Sequence, residues 1–102
     1  MKKMAAALSS DAKYGPVTCA YLEINSPSIP EAIDECVRQG AKEIRLMPYF
    51  LLIGRHVKSD IPAIVKAARQ KYRGICRILV SPYLGYDKHI LAVVKKRILQ
   101  AK

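Results

Sequence analysis

The segment from Leu52 to Asp60 contains the side chains of this chain that are best suited to chemistry. His56, one of two histidines in the sequence, stands there beside Gly54 and Arg55. Lys58 follows closely. Neutral imidazole can ligate a divalent metal or accept a proton, a guanidinium holds a carboxylate through paired hydrogen bonds, and glycine lets the backbone approach a ligand. The segment therefore indicates a site where a metal ion or a proton is handled beside an anion.

Glu23 is a second candidate because it directly follows Val17 to Leu22, an apolar and strand-prone run. Ligands of open parallel sheets bind beyond the carboxyl ends of the strands, where Glu23 and His56 would both lie. A carboxylate and an imidazole that converge there could share a divalent metal or move protons. Spacing alone equally allows both side chains to be merely solvated. His89, the other histidine, lies in the first turn of the predicted last helix and is expected to face solvent.

Helix-prone and strand-prone segments alternate along the chain, which predicts an α/β fold with a parallel sheet covered by helices on both faces. Ser28-Ile29-Pro30-Glu31 has the pattern of a helix capping box, and Gly40 is placed to end that helix. The predicted order is helix 1–13, strand 17–22, the helix between Ser28 and Gly40, a strand from Ile44 that Pro48 stops or bends, a helix from Ser59 or Asp60 to Gly74, strand 75–80, and a last helix capped by Asp87.

Apolar and basic spacing predicts how the helices are oriented. The residues of the last helix that share one face, and that we expect to point inward, are Ile90, Leu91, Val94 and Ile98. The basic residues of the third helix, Lys66, Arg69 and Arg73 among them, are expected to form a solvated outer face.

The three cysteines, Cys19, Cys36 and Cys76, are widely spaced and form no C-x-x-C pair. Each lies in an apolar run, where a free cysteine behaves as a small hydrophobic residue. We therefore expect buried, unpaired thiols in a reducing cytoplasm.

Length and charge narrow the class of protein further. The chain has 102 residues, of which 51% are hydrophobic, so it fits one globular domain. No stretch approaches the ~20 apolar residues of a membrane span, and the apolar run at the start is too short for a signal peptide, which favours a cytoplasmic protein. A net charge of +10 favours an anionic partner: a nucleic acid, a lipid headgroup surface or a small polycarboxylate.

The motifs that point to a family lie in order between Leu22 and Gly85. They are Leu22-Glu23, Ser26-Pro27-Ser28-Ile29, Cys36-Val37-Arg38-Gln39-Gly40-Ala41, Pro48-Tyr49-Phe50-Leu51, Gly54-Arg55-His56-Val57, Asp60-Ile61-Pro62 and Pro82-Tyr83-Leu84-Gly85. As an ordered set they resemble the sirohydrochlorin chelatases, the small CbiX/SirB-type class II chelatases. The resemblance covers the run from Val17 to the C-terminus.

The resemblance implies a chelatase-like, flavodoxin-type fold and the insertion of Fe²⁺ or Co²⁺, with nickel a further option, into sirohydrochlorin for siroheme or cobalamin synthesis. Glu23 and His56 match the family's glutamate and its second histidine, so the resemblance makes them metal ligands and proton acceptors. Gly54, Arg55 and Lys58 would contact the substrate, with the two basic side chains holding its carboxylates. The metal is then a substrate, and no permanently bound cofactor is expected.

The apolar run Leu51-Leu52-Ile53, just before the Gly54 motif, has two interpretations. It could pack on the face of the tetrapyrrole ring, or it could pack into the core beneath the loop. The sequence alone leaves both open.

The chain lacks the strand and the G-H-G-S-R-like histidine motif with which that family begins. We therefore expect residues 1–102 to form a single chelatase-like domain that is N-terminally truncated relative to the family. A natural short form completed by another subunit and a fragment are the alternatives. The missing strand is central in flavodoxin-type sheets, so its loss leaves strand edges unpaired and makes a homodimer one way to complete the sheet.

Two other functions compete with metal insertion. An inactive relative would bind metal or tetrapyrrole without turnover. A basic nucleic-acid-binding module is suggested by the charge alone, but it requires exposed aromatic side chains between the basic ones. Tyr21, Tyr49 and Phe50 instead lie in or beside predicted strands. We therefore expect no nucleic-acid partner and no membrane partner.

Overall fold

The computed structural model describes residues 1–11, 13–22 and 25–102, and at position 56 it describes the backbone alone. Helices and strands alternate over most of these residues. They are, in chain order, α1 (Lys2–Ser9), α2 (Ile29–Arg38), β1 (Glu43–Leu46), α3 (Arg55–Lys71), β2 (Arg77–Val80) and α4 (Lys88–Leu99). No helix in this part of the chain is both long and apolar enough to cross a bilayer.

Strands β1 and β2 form a parallel pair, in a register that runs from Glu43 opposite Arg77 to Leu46 opposite Val80. The core lies on one face of this pair, between the strands and helices α2 and α3. Its buried residues are Ile33, Ile61, Val65, Ala68 and Ile78, and Ile44 and Leu46 of β1 pack against them. Because alternate strand residues point to opposite faces, Ile44 and Leu46 share the core side of the sheet. The expected α/β class is confirmed.

Local signals set both ends of helix α2 as predicted. The Ser28 hydroxyl accepts a hydrogen bond from the Glu31 amide at 3.2 Å, and the Ser28 amide donates to the Glu31 carboxylate at 2.9 Å. These reciprocal bonds satisfy backbone donors that the first turn of a helix leaves unpaired. At the other end Gly40 takes a φ of +96°, and the Ala41 amide donates to the Cys36 carbonyl at 3.0 Å. The left-handed backbone at Gly40 thus closes the helix.

Helix α3 starts earlier than the sequence predicts. Its N-cap is Gly54 and its first residue is Arg55, whereas the expected cap is Ser59 or Asp60. Ser59 and Asp60 precede Pro62 in the pattern of a helix start, but Pro62 lies inside the helix. Starting the helix at Arg55 lets Val57 pack against the core, and this packing offsets the loss of the backbone hydrogen bond that Pro62 removes.

The predicted strand 17–22 is wrong over the described residues, which form no strand before β1. One parallel bridge joins Tyr21 to Ser28, and the Tyr21 amide donates to the Pro27 carbonyl at 2.9 Å. An apolar run becomes a strand only where a neighbouring strand pairs with its backbone. Leu22 nevertheless packs against the core. The first helix is also shorter than expected, because it ends at Ser9 rather than at residue 13.

The expected inward face of helix α4 is wrong as well. Leu91, Val94 and Ile98 are exposed, Ile98 to 67%, and only Ile90 is partly covered. Apolar spacing shows which residues share a face, but burial needs a packed neighbour, and the core is closed by α2, α3 and the two strands. The expected cap of this helix is confirmed, since the Asp87 carboxylate accepts a hydrogen bond from the His89 amide.

The cysteines are unpaired, as expected, but only Cys76 is buried. Burial raises the pKa of the Cys76 thiol, and the neighbouring Cys36 thiol adds to that rise. Cys19 and Cys36 are half-buried. A buried thiol with a raised pKa is protonated at neutral pH, which is the state of a structural cysteine.

A cluster of polar side chains ties α2 to α3. The Asp34 carboxylate accepts hydrogen bonds from the Tyr72 hydroxyl and from the Lys71 ammonium, the latter at 3.1 Å. The pKa of the Asp34 carboxyl lies below its ordinary value. The hydrogen bond from Tyr72 is the main cause, and the hydrogen bond from Lys71 is the second.

We predict that Asp34→Asn removes part of the acid sensitivity of the fold. The pKa of Asp34 is lower in the folded chain, so its contribution to stability is present above the ordinary carboxyl pKa of about 4 and disappears as the pH falls through the lower folded value. The wild-type melting temperature should therefore exceed that of the variant at neutral pH, and the gap should close below about pH 4. Thermal melts followed by circular dichroism measure this. Asp60→Asn, on the exposed side of α3, is the control, and a gap that persists unchanged into acid would contradict the assignment.

Candidate functional site

The loops that follow β1 and β2 meet at one edge of the sheet. The Ser81 amide donates to the Leu46 carbonyl at 2.9 Å, so the end of β2 is held against the end of β1. Further out, the Gly85 amide donates to the Phe50 carbonyl at 3.2 Å, which joins the loop after β2 to the loop after β1. Both carboxyl ends of this parallel pair therefore open on one surface, where ligands of such sheets bind.

Helix α3 begins at this edge and brings the Gly54 motif with it. Gly54 caps the helix through its backbone, since the Lys58 amide donates to the Gly54 carbonyl at 3.0 Å. Arg55 and Lys58 are both exposed, and the first turn contains no acidic side chain. The unpaired amides and positive dipole end of the helix add to the charge of the two side chains. This start of α3 is suited to holding carboxylates.

The structure places only part of the predicted metal pair. The backbone of His56 lies in the first turn of α3, between Arg55 and Val57. Glu23 lies outside the described residues, and the side chain of His56 is likewise not among the described groups. Their convergence stays a prediction. Among the side chains that the structure does describe, no three of the histidine, cysteine and acidic groups are close enough to hold a metal ion.

Exposed apolar and aromatic side chains stand on the loops of the same edge. Leu52 is 87% exposed and Leu51 is exposed beside it, whereas Ile53 is half-buried. From the other loop, Tyr83 and Tyr86 are exposed, Tyr86 to 84%. The interpretation that Leu51 and Leu52 pack into the core is wrong, and their exposure leaves them available to a flat ring. The sequence pattern gives neither tyrosine a role, although Tyr83 lies in the Pro82-Tyr83-Leu84-Gly85 motif and Tyr86 follows it directly.

His89 faces solvent as expected, with its side chain 87% exposed. Its ring Nδ1 lies 2.8 Å from the Asp87 carboxylate, which also accepts the His89 amide at 2.8 Å. These two contacts lower the pKa of Asp87. The hydrogen bond from the His89 amide is the main cause, and the contact with the His89 ring is the second. This pair stands at the start of α4, and the Asp-x-His spacing at a predicted cap is the signal that could have revealed it.

Comparison with known proteins adds a family match over almost the whole chain. A family model described as CbiX matches residues 1–101. A sirohydrochlorin ferrochelatase of Arabidopsis thaliana, named as chloroplastic, is 40% identical over 85 residues, which cover 83% of this chain and 37% of that protein. A sirohydrochlorin cobaltochelatase of Sulfolobus acidocaldarius is 33% identical over 81 residues, covering 79% of this chain and 63% of that one.

A solved structure shares the fold. The sirohydrochlorin chelatase SirB of Bacillus subtilis subspecies spizizenii, in complex with cobalt, matches with a TM-score of 0.78 and 32% identity over 97% of this chain. The match covers 44% of the SirB chain. The chain thus spans less than two thirds of the length of each of these relatives, while nearly all of its own length follows the fold of SirB.

Proposed function

The chain belongs to the CbiX family, and we propose that it inserts a divalent metal, Fe²⁺ or Co²⁺, into sirohydrochlorin. The relatives named as a ferrochelatase and a cobaltochelatase support the substrate and both metals. The observation that carries the proposal to this chain is the position of the Gly54-Arg55-His56-Val57 motif, which starts α3 at the edge where both loops meet. Neither the spacing of the motif nor the fold selects one metal, because imidazole and carboxylate suit both ions.

We propose that His56 and Glu23 deliver the metal and take up the protons it displaces. The inner pyrrole nitrogens lose their protons as they bind the metal, so a base must stand beside the ring for the exchange to proceed. A neutral imidazole can hold the incoming ion and then accept a proton once the ion has moved to the ring. Glu23 would share both tasks, since a carboxylate is also a ligand and a base.

The proposed placement of the macrocycle follows from the charges and apolar groups on the edge. Sirohydrochlorin carries several carboxylates around a flat ring. The exposed Arg55 and Lys58 would bind carboxylates at the rim, and Gly54 would let the backbone approach them. Leu51 and Leu52 would contact the ring face. The net charge of +10 would draw the anionic substrate toward the protein.

We propose further that residues 1–102 form one chelatase-like domain that works in the cytoplasm and that this domain forms a homodimer. The half-buried and exposed apolar residues of α4 support a further contact in the working protein. The Arabidopsis relative is named as chloroplastic, so the chloroplast is the alternative location to the cytoplasm.

We predict that His56→Ala and Glu23→Gln each slow metal insertion by at least about 100-fold, the usual size of a lost ligand or base. The assay follows the absorbance of sirohydrochlorin after Co²⁺ or Fe²⁺ is added, against a protein-free reaction. His89→Ala and Glu43→Gln are matched controls and should keep the wild-type rate, and circular dichroism checks that each variant is folded.

The same assay separates the competing functions. Metal insertion at the wild-type rate by a folded His56→Ala chain would contradict the proposal that His56 holds the metal and accepts a proton. Binding of sirohydrochlorin by the wild type with no conversion would instead identify a carrier without turnover. No spectral response from the folded wild type would leave only the fold in common with the chelatases.

We also predict that Leu52→Ser weakens the binding of metal-free sirohydrochlorin by about 5-fold to 10-fold, because a leucine that packs on the ring loses most of its exposed apolar area. Folding should be unaffected, since Leu52 is 87% exposed. Leu99→Ser is the control, because Leu99 is 86% exposed but lies at the far end of α4. Absorbance titrations give both dissociation constants, and equal weakening by the two variants would contradict a ring contact at Leu52.

A further inference from the structure

An open groove of about 550 Å³ runs along α3 on the side that faces the end of β2. Its floor is apolar: Pro62 of the helix and Val80 of the strand are exposed there, while Ile61 and Val65, which also line it, are buried in the core. Its rim is basic. The side chains that form the rim are Lys66, Arg69 and Arg73, and no acidic residue lines the groove. The volume is within the range of binding clefts, about 300–1,000 Å³.

Arg69 is held in a defined position at the centre of this rim. Its Nε–H donates to the Ile78 carbonyl at 3.0 Å. That bond uses one edge of the guanidinium and leaves its two terminal amino groups for a ligand. In the described part of the chain neither Lys66 nor Arg73 takes part in an ion pair. The rim is therefore a row of positive charges without acidic partners among the described residues, in which the hydrogen bond to Ile78 fixes the position of Arg69.

The groove borders the outer edge of the sheet. The Arg77 amide donates to the Lys42 carbonyl just before β1, and the Ser81 amide donates to the Leu46 carbonyl of β1. The backbone groups of the alternate residues Ile78 and Val80 therefore point away from β1. From Ile61 to the end of α3 at Lys71 the helix axis rises about 15 Å. That is the length of four to five extended residues at about 3.3 Å each.

We propose that this groove binds an extended acidic peptide segment of a partner protein. Its carboxylates pair with Lys66, Arg69 and Arg73, and the apolar side chains between them lie on Pro62 and Val80. An extended chain sends alternate side chains to opposite sides, which matches a groove with a basic rim and an apolar floor. The charge of the rim selects an acidic partner. The groove has no aromatic side chain for a nucleobase to stack on, which disfavours RNA.

The test uses the full chain and a fluorescein-labelled peptide of alternating glutamate and valine, with binding followed by fluorescence anisotropy. The double variant Lys66→Gln with Arg73→Gln should bind the peptide at least about tenfold more weakly, as expected for the loss of two charged contacts. Lys95→Gln with Lys96→Gln on α4 changes the net charge equally and should bind as the wild type does. Neither double variant removes the bond from Arg69 to Ile78, so both should fold, and circular dichroism checks this.

A second variant tests the floor of the groove. Val80→Ser keeps every charge and should weaken binding about threefold or more, because the floor loses apolar contact. A peptide of alternating glutamine and valine should not bind. His56→Ala should bind the acidic peptide normally, so failure of the chelatase proposal and failure of this one are distinguishable.

Four outcomes would overturn the proposal. Equal weakening by the two double variants would mean that net charge alone attracts the peptide. Equal binding of the glutamine peptide would remove the role of the carboxylates. If an RNA oligonucleotide binds the wild type more tightly than the peptide does, and binds the Lys66→Gln, Arg73→Gln variant weakly, then nucleic acid is the occupant of the groove. Self-association that the same variant abolishes would make it a second copy of this chain.

Discussion

The parallel pairing of β1 with β2 is the constraint on which the candidate site depends. Parallel strands cannot be joined by a tight turn, so α3 must carry the chain back across the sheet, and it is held there by the burial of Ile61 and Val65 against Ile78. Both strands then end at one edge. The bond from Gly85 to Phe50 ties their loops together, and the start of α3 lies among them. Without this pairing, the basic helix start and the exposed tyrosines would belong to unrelated surfaces.

Features whose partners lie close in sequence could be predicted, and features that need a distant partner could not. The capping box of Ser28 and Glu31 and the left-handed Gly40 involve residues within one turn, so the pattern determines the geometry. The start of α3 could not be predicted in this way, because the packing of Val57 against the core, which is distant in sequence, outweighs the misleading signal at Asp60. The strand at 17–22 and the inward face of α4 are predicted from apolar spacing alone. Such spacing does not show whether a neighbouring element is present to pair with the strand or to cover the helix face.

The site divides along the same line. The positions of Gly54, Arg55 and Lys58 at the sheet edge follow from the rule for parallel sheets and are as predicted. The roles of His56 and Glu23 rest on the family motif, and they stay proposals. The groove beside α3 could not be predicted from the sequence, where its basic residues have the pattern of a solvated helix face. These basic residues are exposed as expected. The groove forms because β2, which is distant in sequence, lies beside that face of α3.

The most direct test of a metal site at the carboxyl edge is the mapping of bound Co²⁺ by nuclear magnetic resonance. Paramagnetic Co²⁺ broadens the signals of nearby amides. Our account predicts that the amides of Phe50, Gly54 and Gly85 broaden together at low Co²⁺, whereas Gly40 and Gly74, which precede the strands at the opposite edge, stay sharp. Broadening confined to the buried Cys76 and its neighbours, or spread evenly over the chain, would contradict a metal site at the edge where the two loops meet.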